Sequence, residues 1–327
     1  MTIVVVLGVV TIVFIATRVI PAHPEFLWAG PHATEEQLAE ARRVLRLDEP
    51  IPVQYYYFIV SLLKGDLGVS WRTKNPVLED IKTALPATLE LAIAGFTLGM
   101  LIGLPLGIIA ALRYGSVVDK LVRVLTVSGS AIPVFWIALV LQLLLSIKLG
   151  LLPGSYRIDP TLAVLTGFKP ITGFYTIDTL LMGRLDLFID VLKRLLMPAV
   201  VVSIYPLCLT ARMSRALALE ILQEDYIRNL RGWGVPDSVI VRRYLVKAMI
   251  PPLIASLGLS FGYTLIGAFI IEVVFSWNGL GMYAVLSILS FDYPAVIGSI
   301  MVVAIFYTVI NMVVDLLQAH LDPRVKL

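Results

Sequence analysis

Cysteine is almost absent from this chain. Cys208 stands alone among 327 residues, which excludes an intrachain disulfide and a cysteine-rich metal site. It sits in an apolar run and reads as a packed, inert thiol. Charge is scarce as well: 15% of residues are charged against about a quarter in soluble domains. The net charge of +3 is too small to argue for nucleic acid as a partner. Histidine occurs three times, as His23, His32 and His320, with no carboxylate cluster beside the first two, so metal binding is set aside. There is no phosphate-cradling Gly-x-x-x-x-Gly-Lys-Ser/Thr and no His-Glu-x-x-His. Gly279-x-Gly281 lacks the third glycine of a dinucleotide fingerprint, and no Ser/His/Asp arrangement offers itself. Catalysis by this chain is therefore not expected, and neither is a bound cofactor.

What the chain has is apolar residues, 58% of the total, with a mean hydropathy of +0.90. That excess calls for a solvent other than water, and the class is an all-α polytopic membrane protein. Six spans are expected. Residues 1–20 form the first, and 21–84 a polar external segment. Thr34 and Gln37 there predict a capped amphipathic helix, Val53–Leu63 a second, and Gly65–Gly68 a turn. Residues 85–327 form a core of five further spans. The second span is Thr83–Leu112, with Pro105 as a possible kink, and the third is Val124–Ile147, with Pro133 inside. Asp186–Leu196 reads as an interfacial helix, followed by a fourth span at Leu195–Ala211. Ala248–Ile271 is the fifth, 273–291 a re-entrant or outer-leaflet segment, and Tyr293–Val314 the sixth. In the second span Gly95, Gly99, Gly103 and Gly107 recur every four residues, a stripe on which another helix can close. Gly258 and Gly262 form a second such pair.

Charge sets the orientation. No Lys or Arg lies between Lys247 and Arg324, while the loops after spans two and four are basic. Both termini are thus expected in the cytoplasm of a cell-membrane protein; only the long loop 148–194, slightly basic, departs from the rule, and long loops count little. The most basic loop spans 212–250. It gathers Arg212, Arg215, Arg228, Arg231, Arg242, Arg243 and Lys247 against Glu220, Glu224, Asp225 and Asp237. Within it Tyr226, Ile227, Leu230 and Trp233 fall on one helical face, Gly232 and Gly234 stop the helix, and a second basic helix leads from Asp237 to the membrane at Pro251. Spacing alone leaves two readings of this loop, a helix lying on anionic lipid or one docking on a soluble partner. Ionisable residues are absent from the cores of spans three, five and six, which disfavours the alternative of a proton-driven secondary transporter or channel. Glu90, near the outer end of span two, is given a structural role.

The stretch Glu224-Asp225-Tyr226-Ile227-Arg228-Asn229-Leu230-Arg231, with Gly234 and Ile250-Pro251, resembles the signature loop of ABC-importer permeases of the dipeptide, oligopeptide and nickel branch. Arg18-Val19-Ile20-Pro21, Gly65-Asp66-Leu67-Gly68-Val69-Ser70, Leu85-Pro86-Ala87-Thr88-Leu89-Glu90-Leu91 and Ile132-Pro133-Val134-Phe135-Trp136 agree. So do Glu272-Val273-Val274-Phe275-Ser276-Trp277-Asn278-Gly279-Leu280-Gly281, Asp292-Tyr293-Pro294 and Leu321-Asp322-Pro323-Arg324. The resemblance covers nearly the whole chain in order. Two departures stand out: Gly232-Trp233 replaces a small residue followed by Lys, and Asn278 stands where the branch usually has Pro. The resemblance implies a type I importer fold and a permease paired with a second, similar permease as a heterodimer. Two cytoplasmic ATPase subunits would hold ATP and Mg, and an external binding protein would deliver the cargo. Glu224–Arg231 with Trp233 and Gly234 would then form the coupling helix. Peptides are the cargo expected, with oligosaccharides or nickel as alternatives within the branch.

Overall fold

The computed structural model describes residues 7–12, 14–15, 24–30 and 33–321. Residues 7–12 and 14–15 are helical; the rest of the first expected span lies outside the described residues, as do Arg18–Pro21, His23, His32 and Asp322–Arg324. Helices and turns make up the remainder, with one isolated bridge, Val69–Pro76. The elements in chain order are α1 (Pro24–Ala29), α2 (Glu35–Leu45), α3 (Ile51–Leu63), α4 (Val77–Leu112) and α5 (Val117–Ala131). Then come α6 (Val134–Leu141, continued as a π-helix over Gln142–Lys148), α7 (Pro160–Thr166), α8 (Tyr175–Leu181), α9 (Leu185–Leu222) and α10 (Asp225–Gly232). The chain ends with α11 (Asp237–Val239, continued as a π-helix over Ile240–Leu245), α12 (Val246–Phe275), α13 (Leu280–Leu289) and α14 (Tyr293–Leu321). Two compact units result: residues 1–86 with 279–308, and 87–278 with 309–327.

Among the described residues three helices are long and apolar enough to cross a membrane, at Val77–Leu112, Ser256–Phe275 and Tyr293–His320. The expected third span is not one straight helix. It breaks between α5 and α6 with a bend of 97°, because Ile132, next to Pro133, takes an extended conformation. The interfacial helix expected at Asp186–Leu196 is not separate either. It is the first three turns of α9, which runs on for 38 residues through Pro198 and Pro206. The chain from Asp237 runs through Pro251 into the fifth expected span, with Pro251 and Pro252 inside α12.

In the first unit the turn after α3 is held from a distant part of the chain. Asp292 caps α14 by accepting the amide of Ala295, and its other oxygen accepts Ser70 Oγ at 2.5 Å and the Arg72 amide at 3.1 Å. Gly68, at φ +81°, lies against Pro294, and Trp71 meets Tyr293 edge to face. Thr34 caps α2 with Gln37 as its reciprocal partner. A cavity of about 800 Å³ opens beside this turn, lined by Trp28, Glu40, Arg46, Tyr57 and Trp71 among others.

The second unit is built on the glycine stripe. A Cβ on Gly95, Gly99, Gly103 or Gly107 would run into the carbonyl oxygens of Ala199, Ser203, Leu207 and Ala211 in turn, so α4 and α9 run the same way in contact for four turns. Apolar burial gives little in lipid; backbone-to-backbone approach and weak Cα–H···O contacts hold such pairs. Gly258 on α12 instead makes room for the side chain of Val314 of α14, and Gly262 is buried.

A polar knot closes one end of this unit. Trp277, fully buried, donates Nε1–H to the Ala87 carbonyl, and Thr88 Oγ1 donates to buried Glu272. Glu90 pairs with Arg157 from the loop after α6 at 2.6 Å and accepts both the amide and hydroxyl of Thr176. Arg157 lies over the Tyr175 ring and donates to the Gly173 carbonyl. The loop before α9 is fixed too: Arg194 holds Asp159 and Asp190. The amides of Leu162 and Thr161 keep the Asp159 carboxyl below its usual pKa. After Phe275 the helix is broken by Ser276 (φ 51°) and Asn278 (φ 53°), both left-handed.

Two outcomes are expected. Gly99→Ala should lower stability by about 1–3 kcal/mol, since rigid backbone at 2.7–2.9 Å must give way, while Gly267→Ala, with nothing within 4 Å, should be neutral or up to about 1 kcal/mol stabilising; melting in detergent reads both. Arg157→Met should cost about 3–5 kcal/mol by leaving Glu90 buried without its cation, and Arg157→Met with Glu90→Leu should recover much of it.

Candidate coupling site

The basic loop emerges between α9 and α12. Both limbs are anchored in one apolar cluster: Ala218 and Leu222 of α9, Leu245, Met249 and Leu253 on the return, and Ile108 and Ala111 of α4. At the tip stands α10, eight residues long, with Glu224 at its N-cap and Asp225 in the first turn. Its amphipathic pattern predicts one apolar face, and the structure divides that face. Ile227 is fully buried in the chain itself and Leu230 partly so, whereas Tyr226 is 41% and Trp233 79% exposed. Trp233 caps the helix from outside its last turn. Partial burial and the neighbouring Glu224 carboxylate push the Tyr226 phenol above its usual pKa, so it remains a neutral hydrogen-bonding group.

The helix ends in a fixed way. Gly234 takes φ +76°, its amide bonds the Arg231 carbonyl at 3.0 Å, and the Val235 amide bonds the Leu230 carbonyl at 3.1 Å. This is the paired 5→2 and 6→1 pattern of a Schellman turn, which satisfies the last carbonyls and sets the exit direction. Arg231 then pairs with Asp237 across the turn at 3.2 Å, Arg228 makes only a loose contact with Asp225 at 3.7 Å, and Asn229 points outward.

The seven basic residues do not form one surface. Arg215 chelates Asp119 of α5, and Arg212 donates to Thr126 O and Ser130 Oγ of the same helix. These two brace the bundle, and Arg242, Arg243 and Lys247 remain exposed. A sequence pattern cannot reveal a partner 96 residues upstream; the isolated Asp119, the one acid among Arg113, Lys120 and Arg123, is the only hint.

The profile described as "Binding-protein-dependent transport system inner membrane component" matches residues 103–327, and that of the N-terminal part of such components matches 1–92. The chain belongs to this family. It is a membrane permease component of ABC transporters, a type of subunit that is not itself catalytic. Among its relatives is a probable D,D-dipeptide transport system permease protein of Escherichia coli (strain K12), 42% identical over 98% of this chain and 94% of the relative. A di/tripeptide transport system permease protein of Pseudomonas aeruginosa is 37% identical over the same shares. A putrescine export system permease protein of E. coli is 34% identical over 82% of this chain and 84% of its own length.

Gly234→Ala should loosen the end of α10 by about 1–2 kcal/mol, because an L-residue resists the left-handed conformation. Gly232→Ala, inside the helix with nothing near it, should leave it intact or tighten it. Hydrogen exchange of the 225–235 amides distinguishes the two.

Proposed function

We propose that the chain is a translocation subunit of an ATP-driven peptide importer, and that α10 is the element through which ATPase subunits act on it. The observation that carries this is the form of the loop tip: a short helix with a fixed end, its inner face anchored by Ile227 and its outer aromatics Tyr226 and Trp233 presented to a partner. A helix lying on lipid headgroups would present basic residues alone, but here Arg231 is engaged with Asp237, exposed Arg228 lies beside exposed Asp225, and the exposed aromatics Tyr226 and Trp233 stand with them. In this reading residues 1–20 are the first of six spans, 21–84 an external segment, and 85–327 a five-span core with a cytoplasmic loop at 212–250. Both termini lie in the cytoplasm. The working unit contains a second, different permease, two ATPase subunits carrying ATP and Mg, and an external binding protein. Closure of the ATPases on ATP pushes α10, and α9 and α12 carry that displacement into the bundle, favouring one arrangement of the pathway in each nucleotide state. Glu224, Asp225, Arg228, Asn229, Leu230 and Gly234 shape and orient the tip, while Tyr226 and Trp233 make the contact. Gly95, Gly99, Gly103, Gly107, Gly258 and Gly262 keep the moving helices close.

Short peptides are the cargo this reading favours, since the relatives with the higher identities are named for dipeptide and di/tripeptide transport.

Trp233→Asp, at an exposed position, should leave the fold and melting temperature unchanged. It should weaken binding of the ATPase subunits by about thirtyfold or more, as loss of an interfacial aromatic anchor does, so that they no longer co-purify. Uptake of a labelled dipeptide by proteoliposomes should fall in parallel. Undiminished ATP-dependent uptake in Trp233→Asp and Tyr226→Asp would overturn the assignment of α10.

A further inference from the structure

The helix α5, which precedes the 97° bend, leaves most of its apolar side chains uncovered, although Gly129 packs against Cys208 and Ile204 of α9. Val117, Leu121, Val124, Leu125 and Val127 are all exposed, and its buried residues are Asp119, Val122 and Thr126. Two of those three sites meet an arginine of α9. Arg215 donates Nε to Asp119 Oδ1 at 2.6 Å and Nη2 to Oδ2 at 3.0 Å. The Asp119 side chain is 1% exposed, and its Oδ2 also accepts the Gly115 amide at 3.1 Å. Arg123 of the same helix lies at 3.8 Å. One turn earlier on α9, Arg212 Nη1 donates to Thr126 O at 3.1 Å and Ser130 Oγ at 2.9 Å. The two arginines thus grip α5 at both ends, and Arg215 stands seven residues before α9 ends at Leu222, close to α10.

A bidentate guanidinium–carboxylate pair fixes direction as well as distance, which a single ammonium contact does not. Held this way, α5 has to follow the end of α9 in rotation and translation. We propose that the Arg215–Asp119 pair, seconded by Arg212, is a strut that makes α5 travel with the coupling limb, so that Asp119 and Arg215 are positioning residues for transport. The inference rests on α10 being the point of ATPase contact.

The test uses the whole transporter, with its partner permease, ATPases and binding protein, reconstituted in proteoliposomes. In Asp119→Asn and Arg215→Lys the ATPase subunits should still co-purify and hydrolyse ATP, while dipeptide transported per ATP falls about twofold to thirtyfold, the range of network coupling energies. A direct readout comes from spin labels on exposed Val124→Cys and Ala216→Cys in a Cys208→Ala background. Their separation should be the same in nucleotide-free and ATP-bound states with the pair intact, and should change between states in Asp119→Asn. If Asp119→Asn does not assemble, Arg215→Lys, which keeps the charge and loses the fork, is read by the same ratio and the same labels. Unchanged transport per ATP, or a label separation that behaves alike with and without the pair, would overturn the strut. Loss of the ATPases from Arg215→Lys would also overturn it, by showing that the pair serves docking. Failure of the α10 reading is seen separately, in retention of the ATPases by Trp233→Asp.

Discussion

Everything in the larger unit depends on two helix backbones being allowed to touch. In water a bundle is held by hiding apolar side chains, but in lipid an exposed leucine is already at home, and association must come from packing and polar contacts. The four glycines of α4 supply the packing by removing every side chain that would separate it from α9. The matching series of α9 carbonyls, one per turn, seats directly on them. Because the offset stays constant along four turns, the contact is a rail more than a point. Sliding it by one residue would set β-carbons against carbonyl oxygens.

With that rail in place the polar contacts make sense as its complements. They sit toward the ends of the helices and where the chain turns: Glu90 with Arg157 and Thr176, Thr88 with Glu272, Trp277 with the Ala87 carbonyl, and Arg215 with Asp119. Each is buried and directional, and each ties segments far apart in sequence. The apolar cluster that roots the basic loop includes α4 as well as α9 and α12, so three helices meet at the base of α10 through packed contacts. A packed root and a short tip with a fixed end give the loop a defined shape.

The class of the protein and the helix at the tip of the basic loop were legible in composition and spacing. So was the spacing of the glycine stripe, but not its partner, because the surface it meets is made of backbone carbonyls and carries no side-chain signature. Proline was the least readable residue. Pro133 ends a helix with a sharp bend, whereas Pro198, Pro206, Pro251 and Pro252 lie within continuous helices. The difference is tertiary: α9 is clasped between α4 and α12 and keeps its course despite missing hydrogen bonds, while α5 has an open face and the chain is free to turn. Arginine misled for a related reason. Arg212 and Arg215 look like members of a basic loop, and only the fold brings Asp119, Thr126 and Ser130 to them.

One residue gains a meaning that its identity alone did not suggest. Asn278 stands where the branch that this chain resembles usually has proline, and here it sits at φ 53°. A pyrrolidine ring holds φ near −65°, so proline has no access to that conformation, whereas asparagine is among the residues that enter it most readily. The exchange is thus a change of backbone path and not only of side chain. Directly after the buried Trp277, an Asn278→Pro exchange would therefore force the chain off the left-handed path that it takes here.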